Sequence, residues 1–230
     1  MTLSALLGAS LAVVVLTAAV SAVVGRAAGW IAAAALAGLA VVVGIMGPAI
    51  AAGDVVRESI PWLPTIDVAV RLRLDGLALV FLLIVLGIGA LVMAYSARYL
   101  SSRDVHRHTG YFVWMTLFAF AMTGLVLADD IVLLFVFWEL TTLCSFFLIN
   151  RSGRKASAPA VRTLIVTAIG GLILLLAVVL MVARTGTTVL HEIVAAEAWS
   201  ADPAFTALVA VLVAIAALTK SAQFPFHYWL

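Results

Sequence analysis

Seven apolar stretches follow one another along this chain, and each is long enough to cross a membrane as a helix. The hydrocarbon core of a bilayer is about 30 Å thick, a distance that about 20 residues of α-helix span. Because a backbone in lipid must pair its polar groups within its own segment, these stretches are predicted to be helices. The predicted spans are 3–24, 29–51, 76–98, 110–128, 131–150, 161–183 and 204–224.

The composition is typical of a membrane protein and excludes a soluble one. Apolar residues make up 66% of the 230 residues and charged residues 10%, whereas soluble domains carry about 45–50% and about 25%. A soluble globule of this composition would expose large apolar patches and aggregate. The net charge of +2 comes without a basic cluster interleaved with aromatic residues, so nucleic-acid binding is not predicted. The predicted fold class is all-α, a polytopic transmembrane helix bundle.

The charged residues in the loops and at the outermost positions of the spans predict the orientation of the chain in the membrane. One set of loops contains eight Lys and Arg residues and a single acid, Asp104, whereas the opposite set contains four Arg residues and nine acids. The positive-inside rule places the basic loops in the cytoplasm and the N-terminus outside. The eight basic residues are Arg26, Arg98, Arg103, Arg107, Arg151, Arg154, Lys155 and Arg162.

The longest gap between spans, residues 52–75, is predicted to form a short external hairpin or strand. It contains Pro61 and Pro64, which exclude a continuous helix. The residues that follow, 65–74, alternate roughly between apolar and polar side chains, a pattern typical of a β-strand.

Two charged residues, Glu139 and Lys220, lie inside predicted spans and away from the outermost positions, where Arg98 and Arg162 are found. A charge at the centre of a bilayer costs about 2.5–3.5 kcal/mol even on the lenient insertion scale, so its presence indicates a function. Because the two charges have opposite signs, each is the natural partner of the other. Burial disfavours the charged form of such groups, and a nearby opposite charge favours it. We therefore expect the separation of the two side chains to control whether Lys220 holds or releases a proton, with the pair titrating as a unit.

Two other interpretations of these charges remain open. The residues Glu139 and Lys220 could form a static ion pair that only fixes two helices, or Lys220 could extend from a helix end to the membrane interface. Pro225 argues against simple extension, because it removes the hydrogen bond to the Ser221 carbonyl and breaks the helix. Carbonyls freed in this way must line a hydrated cavity or be buried in protein. His227 follows the predicted break and is either a member of a proton relay or an interface residue.

The remaining polar and glycine residues predict structural roles. The acids Asp129 and Asp130 open the fifth span, where they either cap the helix or, as the alternative, bind a cation. The pair Gly170-Gly171 in the sixth span indicates close helix packing. The sequence contains no zinc, nucleotide or catalytic-triad motif, so no cofactor and no metal site are predicted. The histidines outside the spans are expected to be solvated in loops: His106, His108 and His191.

Several motifs carry a resemblance to a known family. They are Asp75-Gly76-Leu77, Tyr95-Ser96 with Tyr99, Leu127-Ala128-Asp129-Asp130, Phe137-Trp138-Glu139-Leu140 and Lys220-Ser221-Ala222-Gln223-Phe224-Pro225. On these residues the chain resembles the antiporter-like membrane subunits that Mrp (Mnh)-type multisubunit sodium/proton antiporters share with respiratory complex I. The last two motifs are the specific ones, and residues 223–230 are most similar to the MrpA (MnhA) branch of that family. The first two spans match only in hydrophobicity.

The resemblance implies a fold of inverted repeats, the first beginning at the fourth span, with a discontinuous seventh helix. It implies two domains: N-terminal helices with an external loop in 1–75, and the start of a proton-translocating domain in 76–230. It also implies that Glu139 and Lys220 are the glutamate–lysine pair of a proton half-channel. Because the family continues with further helices, the chain is predicted to be an N-terminal fragment or a split gene product.

The first functional hypothesis is a component of a multisubunit antiporter that exchanges protons for Na⁺ or another monovalent cation. The resemblance implies a multi-pass location in the cell membrane and partners in a hetero-oligomeric complex, so a transporter is expected in preference to an enzyme. The alternative is the homologous proton-pumping subunit of an NADH:quinone oxidoreductase, itself non-catalytic. A third hypothesis is a structural membrane scaffold with a static ion pair.

Overall fold

The computed structural model describes residues 2–25, 27–63, 65, 68–100, 105–151 and 156–230. Its long helices are α1 (Leu3–Val24), α2 (Ala27–Ala51), α3 (Gly76–Tyr99), α4 (Val105–Leu127), α5 (Ile131–Asn150), α6 (Ser157–Thr185) and α9 (Pro203–Lys220). The shorter elements are β1 (Val56–Leu63), β2 (Val68–Leu74), α7 (Leu190–Ala195), α8 (Ala198–Ala201) and a 3₁₀ helix (Phe226–Trp229). Within the described ranges, the seven long helices are long and apolar enough to cross a membrane. The predicted all-α bundle of seven spans is confirmed.

Two helix limits differ from those predicted. Helix α4 begins at Val105, so the backbone of His106 and His108 is helical and does not belong to a loop. Helix α9 ends at Lys220, whereas the predicted span continued to residue 224. Pro225 has no N–H to donate to the Ser221 carbonyl, and its ring clashes with that carbonyl, so the helix does not continue from Ser221 to the proline. Ala222 adopts a left-handed φ of 52°, which turns the chain away before the proline.

One compact unit comprises Met1–Glu58 and Leu72–Leu127. Within it, α2 packs against α3, and α1 packs against α4. The close approach of helices depends on Gly29, where an added Cβ would lie 2.6 Å from a ring carbon of Phe112 and 2.7 Å from the Ala97 Cβ. A larger residue at this position would therefore force the helices apart.

The second compact unit comprises Ser59–Arg71 and Ala128–Leu230. Within it, α6 packs against both α5 and α9. The core of this unit is formed by the buried residues Ile131, Leu174, Ala177, Val178, Met181, Ile193, Val209 and Ala216. Glu139 on α5 and Lys220 on α9 thus belong to the same packed unit.

The gap between α2 and α3 contains the predicted hairpin. Strands β1 and β2 pair in a two-stranded sheet. In β2, the buried residues Leu72 and Leu74 alternate with the half-buried residues Arg71 and Arg73, as expected for side chains that point to opposite faces of a strand.

The predicted membrane orientation and the predicted division at residue 75 stay predictions. Four of the basic residues that indicate the orientation lie outside the described residues: Arg26, Arg103, Arg154 and Lys155. The side chain of Arg107 is likewise not described.

The N-terminal end of α1 is held by a glutamate of β1. The Ser4 backbone N–H donates to Glu58 Oε2 at 2.8 Å, and the Ser4 hydroxyl donates to Oε1. These hydrogen bonds to the Ser4 side chain and backbone lower the pKa of Glu58. A carboxylate whose pKa is lowered by folding stabilises the folded state above its ordinary pKa, and this contribution is lost as the pH falls through the lowered pKa.

We expect Glu58→Gln to lower the thermal unfolding temperature at pH 7, because the neutral amide accepts the Ser4 hydrogen bonds less strongly than the carboxylate does. The difference from the unsubstituted protein should shrink as the pH falls through the lowered pKa, since the glutamate then becomes neutral as well. Unfolding scans of the detergent-purified protein over a series of pH values from 7 down to 2 measure the difference. A deficit of equal size over the whole series would contradict the assigned role of the Glu58 charge.

Candidate functional site

The ammonium group of Lys220 contacts helix α5 beside Glu139. Lys220 Nζ donates to the Trp138 carbonyl oxygen at 3.1 Å and to Thr142 Oγ1 at 2.7 Å. The same Nζ lies 5.2 Å from the centroid of the Trp138 ring, within the range of a cation–π interaction. Because Trp138 and Thr142 flank Glu139 within about one helical turn, the ammonium lies against the turn of α5 that contains the glutamate.

The Glu139 side chain is half-buried and faces helix α6. Its Oε1 atom is buried and accepts no hydrogen bond from the described residues. The neighbouring Trp138 Nε1 is also buried and donates no hydrogen bond to them. A Cβ built on Gly171 of α6 would lie 2.9 Å from Glu139 Cδ, so the carboxylate packs against bare helix backbone. A buried polar atom without a partner is uncommon and calls for an explanation.

The expected contact between the two charges is not a direct ion pair in this structure. Among the residues described, no nitrogen–oxygen distance of 4.0 Å or less joins Lys220 to the Glu139 carboxylate. Lys220 donates instead to two neutral oxygens of α5, the Trp138 carbonyl and the Thr142 hydroxyl, which lie on the same helical turn as Glu139. The structure thus brings Glu139 and Lys220 into one region of α5, with the two charges apart.

His227 lies beyond the end of α9 on an exposed segment. It belongs to the 3₁₀ helix, and its ring stacks on Phe224 with 5.8 Å between the centroids. Trp229 Nε1 donates to the Thr219 carbonyl at 2.9 Å and so ties the 3₁₀ helix to the end of α9. In the described part of the chain, no hydrogen bond joins the His227 side chain to Glu139 or Lys220.

The N-terminal end of α5 is fixed by a buried ion pair. Asp130 Oδ1 accepts from the backbone N–H groups of Val132 and Leu133, at 3.0 and 3.3 Å, which confirms the predicted cap. Asp130 Oδ2 accepts from Arg71 Nη1 and from Thr188 Oγ1, both at 2.7 Å. The Asp130 side chain has no exposed surface, so its charge is neutralised inside the protein by Arg71.

The neighbouring acid, Asp129, binds His191. Asp129 Oδ2 lies 2.7 Å from His191 Nδ1, and the His191 backbone N–H donates to Oδ1 at 3.3 Å. The expectation that His191 is a solvated loop residue is therefore wrong. The physical reason is that Asp130 and Val189 form a β-bridge, which brings the start of α7 beside α5. Within the described ranges, no group of three or more His, Cys, Asp or Glu residues is arranged to hold a metal ion.

Sequence reasoning missed three residues that shape this unit. Thr142 lies three positions after Glu139 and therefore on a neighbouring part of the same helix face, which is a signal that could have been used. Gly171 was assigned to helix packing, whereas it faces the glutamate. Arg71 is 59 residues from Asp130, and no local pattern indicates a pairing over that separation.

Two family descriptions match this chain. Residues 128–230 match the family described as NADH:quinone oxidoreductase/Mrp antiporter, TM. Residues 62–112 match the family described as NADH-Ubiquinone oxidoreductase (complex I), chain 5 N-terminus. The first match contains both Glu139 and Lys220.

The chain is similar in sequence to curated staphylococcal proteins named antiporter subunit mnhA2. It is 39% identical over 186 residues to the protein of Staphylococcus haemolyticus, which covers 80% of this chain and 23% of that protein. It is 41% identical over 174 residues to the protein of Staphylococcus aureus strain MRSA252, covering 75% of this chain and 22% of that protein. The chain thus spans about a quarter of the length of these relatives.

Solved structures of large membrane complexes share the fold. A chain of the Mrp complex from Dietzia sp. DQ12-45-1b is 54% identical, with a TM-score of 0.94, and is matched over all of this chain and 25% of its own length. A chain of respiratory complex I from Thermus thermophilus is 22% identical, with a TM-score of 0.76 over 98% of this chain and 46% of its own length. The chain is a multi-pass membrane protein and belongs to the family of antiporter-like membrane subunits that Mrp antiporters share with NADH:quinone oxidoreductases.

Proposed function

We propose that this chain is part of a subunit of a monovalent cation/proton antiporter, and that Na⁺ is the cation exchanged. The subunit works in the cytoplasmic membrane, with its N-terminus outside and with the other subunits of a hetero-oligomeric complex as partners. Residues 76–230 form the start of the domain that moves protons, and residues 1–75 precede it. Glu139 and Lys220 are the groups that hold the proton in turn.

The observation that carries this proposal is the position of the Lys220 ammonium on the α5 turn of Glu139. The ammonium is bound by neutral oxygens, of Trp138 and Thr142, and has no anion in direct contact among the described residues. Glu139 Oε1, on the same turn, is a buried acceptor that receives no hydrogen bond from the part of the chain that the structure describes. Among the described residues, neither group is thus in direct contact with the opposite charge, although both lie at the same turn of α5.

This arrangement supports a proton step with two positions. When the ammonium moves from Thr142 towards Glu139, the opposite charges favour the charged form of both groups. When it returns to the neutral acceptors, Lys220 is charged in an apolar segment without a counter-ion, which favours release of its proton to water or to the next group. The distance between Glu139 and Lys220 thus controls whether Lys220 holds its proton, as expected for coupled titrating groups.

His227 is proposed as the next member of the relay. It follows the end of α9, in the 3₁₀ helix that begins at Phe226. The Trp229–Thr219 hydrogen bond keeps this segment at the end of the helix that supplies Lys220.

Two further candidate functions are distinguished by particular observations. The identity of 54% to the chain of the Mrp complex, against 22% to the chain of complex I, favours the antiporter over the proton-pumping subunit of an NADH:quinone oxidoreductase. The third candidate, a scaffold with a static ion pair, gains no support from the described residues, because no nitrogen–oxygen distance of 4.0 Å or less joins Lys220 to Glu139. Purification of the native complex separates the first two, because flavin and iron–sulfur proteins would accompany the oxidoreductase.

We expect Glu139→Gln in the complete antiporter complex to lower cation/proton exchange at least tenfold, because an amide cannot take up a proton at this position, and loss of a proton-transfer group typically costs a factor of about 10²–10⁴. Exchange is measured in everted membrane vesicles as the cation-induced change of a pH-sensitive dye. Glu197→Gln is the matched control, since Glu197 is exposed and its side chain caps no helix. Equal exchange rates for both variants and the unsubstituted complex would exclude Glu139 from the proton path.

A further inference from the structure

We propose that Gly171 positions the Glu139 carboxylate, and that α6 has no side chain at this point because the carboxylate occupies that space. Gly171 is then a positioning residue for the proton path, so this inference rests on the proposed function. It concerns a residue whose sequence context predicts only close helix packing.

The contact between α6 and the glutamate is the first observation. A Cβ added at Gly171 would lie 2.9 Å from Glu139 Cδ and 3.4 Å from Oε2, and closer still to Oε1. Real Cβ atoms essentially never come within 3.0 Å of another group in this way. The carboxylate of Glu139 therefore rests directly on the backbone of α6, with Oε1 buried and without a donor among the described residues.

The neighbouring glycine, Gly170, contacts a different side chain, so the two glycines have different structural roles. A Cβ at Gly170 would lie 2.9 Å from the Cβ and 3.3 Å from the Cγ2 of Thr219, the residue before Lys220. Thr219 is buried, and its hydroxyl donates to the Ala216 carbonyl at 2.7 Å. Gly170 thus permits the approach of the Thr219 side chain of α9, as glycines at helix contacts do, whereas the Glu139 carboxylate lies against Gly171.

The two contacts predict different responses to an added methyl group. At Gly171 the obstacle is the far end of a flexible side chain, so the Glu139 carboxylate can rotate away while α5 and α6 keep their positions. At Gly170 the obstacle is the branched side chain of Thr219 close to its own backbone, so α9 itself must move. Gly171→Ala therefore displaces the carboxylate selectively.

The test uses Gly171→Ala in the complete antiporter complex. We expect exchange to fall at least tenfold, because a catalytic group displaced by about 1 Å can cost a factor of about 10². Aspartate is one methylene shorter than glutamate, so the double variant Gly171→Ala/Glu139→Asp withdraws the carboxylate from the new methyl group and serves as the control for assembly of the complex. The control is Gly87→Ala in α3, where an added Cβ meets nothing within 4 Å.

A second measurement reads the position of the carboxylate without transport. The rate at which dicyclohexylcarbodiimide modifies Glu139 is followed by mass spectrometry of the purified complex. We expect this rate to change at least threefold in Gly171→Ala and to stay unchanged in Gly87→Ala, because reaction of a buried carboxyl depends on its exposure and neighbours. An unchanged rate in Gly171→Ala would overturn the inference.

The two readouts separate the inference from the proposed function. A changed modification rate with unaltered exchange would support the positioning by Gly171 and overturn the role of Glu139 in transport. Failure of Gly171→Ala to assemble, with assembly restored in the double variant with Glu139→Asp, would also support the positioning. Failure of both variants to assemble would overturn it, because the added methyl group would then collide with something other than the carboxylate.

Discussion

Replacing Lys220 with arginine is expected to abolish cation/proton exchange, although the variant keeps a positive charge at the end of α9. A guanidinium stays protonated in proteins, so an arginine cannot release a proton at any step. It retains the charge, the donors for the Trp138 carbonyl and Thr142, and the capacity for a cation–π contact with the Trp138 ring. The substitution therefore removes proton release and leaves the electrostatic and packing roles largely in place.

We expect exchange in everted vesicles to fall at least a hundredfold for Lys220→Arg and to a similar level for Lys220→Ala, within the range of about 10²–10⁴ for a lost acid–base group. The matched control is Lys155→Arg, which makes the same chemical change at the other lysine of the sequence. The amount of each complex in the membrane is measured by immunoblotting of a tagged subunit, so that loss of exchange is not confused with loss of protein.

The two substitutions together distinguish a proton carrier from a scaffold. Under the scaffold hypothesis, arginine preserves the contacts of Lys220 with α5, so Lys220→Arg would exchange normally while Lys220→Ala would lose the assembled complex. Normal exchange in Lys220→Arg vesicles would therefore remove Lys220 from the proton path. Loss of exchange in both variants, with assembly intact, is the expected result.

The helices of this protein could be predicted from its sequence because their cause is local. A run of apolar residues long enough to cross the hydrocarbon layer has to be helical there, and the charged loops separate one run from the next. The end of α9 was placed too late, because Pro225 prevents the helical hydrogen bond to the Ser221 carbonyl, four residues earlier. This cause was nevertheless present in the sequence.

The candidate site could be predicted only in part. The sequence indicated Glu139 and Lys220 because a charge in lipid is costly, and this cost can be recognised from one charged residue within one apolar span. Their bonds depend on how α5, α6 and α9 pack, so neither the contact of Lys220 with Thr142 nor that of Glu139 with Gly171 could be read from spacing. The same limit applies to Arg71, which was counted only as a charge outside the spans.

Replacing Arg71 with leucine is expected to destabilise the protein by about 3–5 kcal/mol, the usual cost of leaving one partner of a buried ion pair alone. The Asp130 carboxylate has no exposed surface, and it would keep only the Thr188 hydroxyl and the backbone donors of α5. The matched control is Arg73→Leu in the same strand. Its partner Asp75 lies 3.3 Å away with 32% of its side chain exposed, and such pairs contribute about 0–1 kcal/mol.

The experiment measures thermal unfolding of the detergent-purified complex, with exchange activity as a second readout, since Asp130 begins the helix that contains Glu139.

Adding Asp130→Asn to Arg71→Leu should restore more than half of the lost stability, because asparagine still caps α5 and leaves no buried charge. If the double variant stayed as unstable as Arg71→Leu, the loss would come from the removed packing of the arginine stem and not from the unpaired carboxylate. Equal destabilisation by Arg71→Leu and Arg73→Leu would also contradict the proposal, because it would mean that the burial of Asp130 adds nothing to the cost of losing its arginine partner. The expected order, with Arg71→Leu least stable and the double variant between it and Arg73→Leu, follows only if the buried charge at the start of α5 determines the energy.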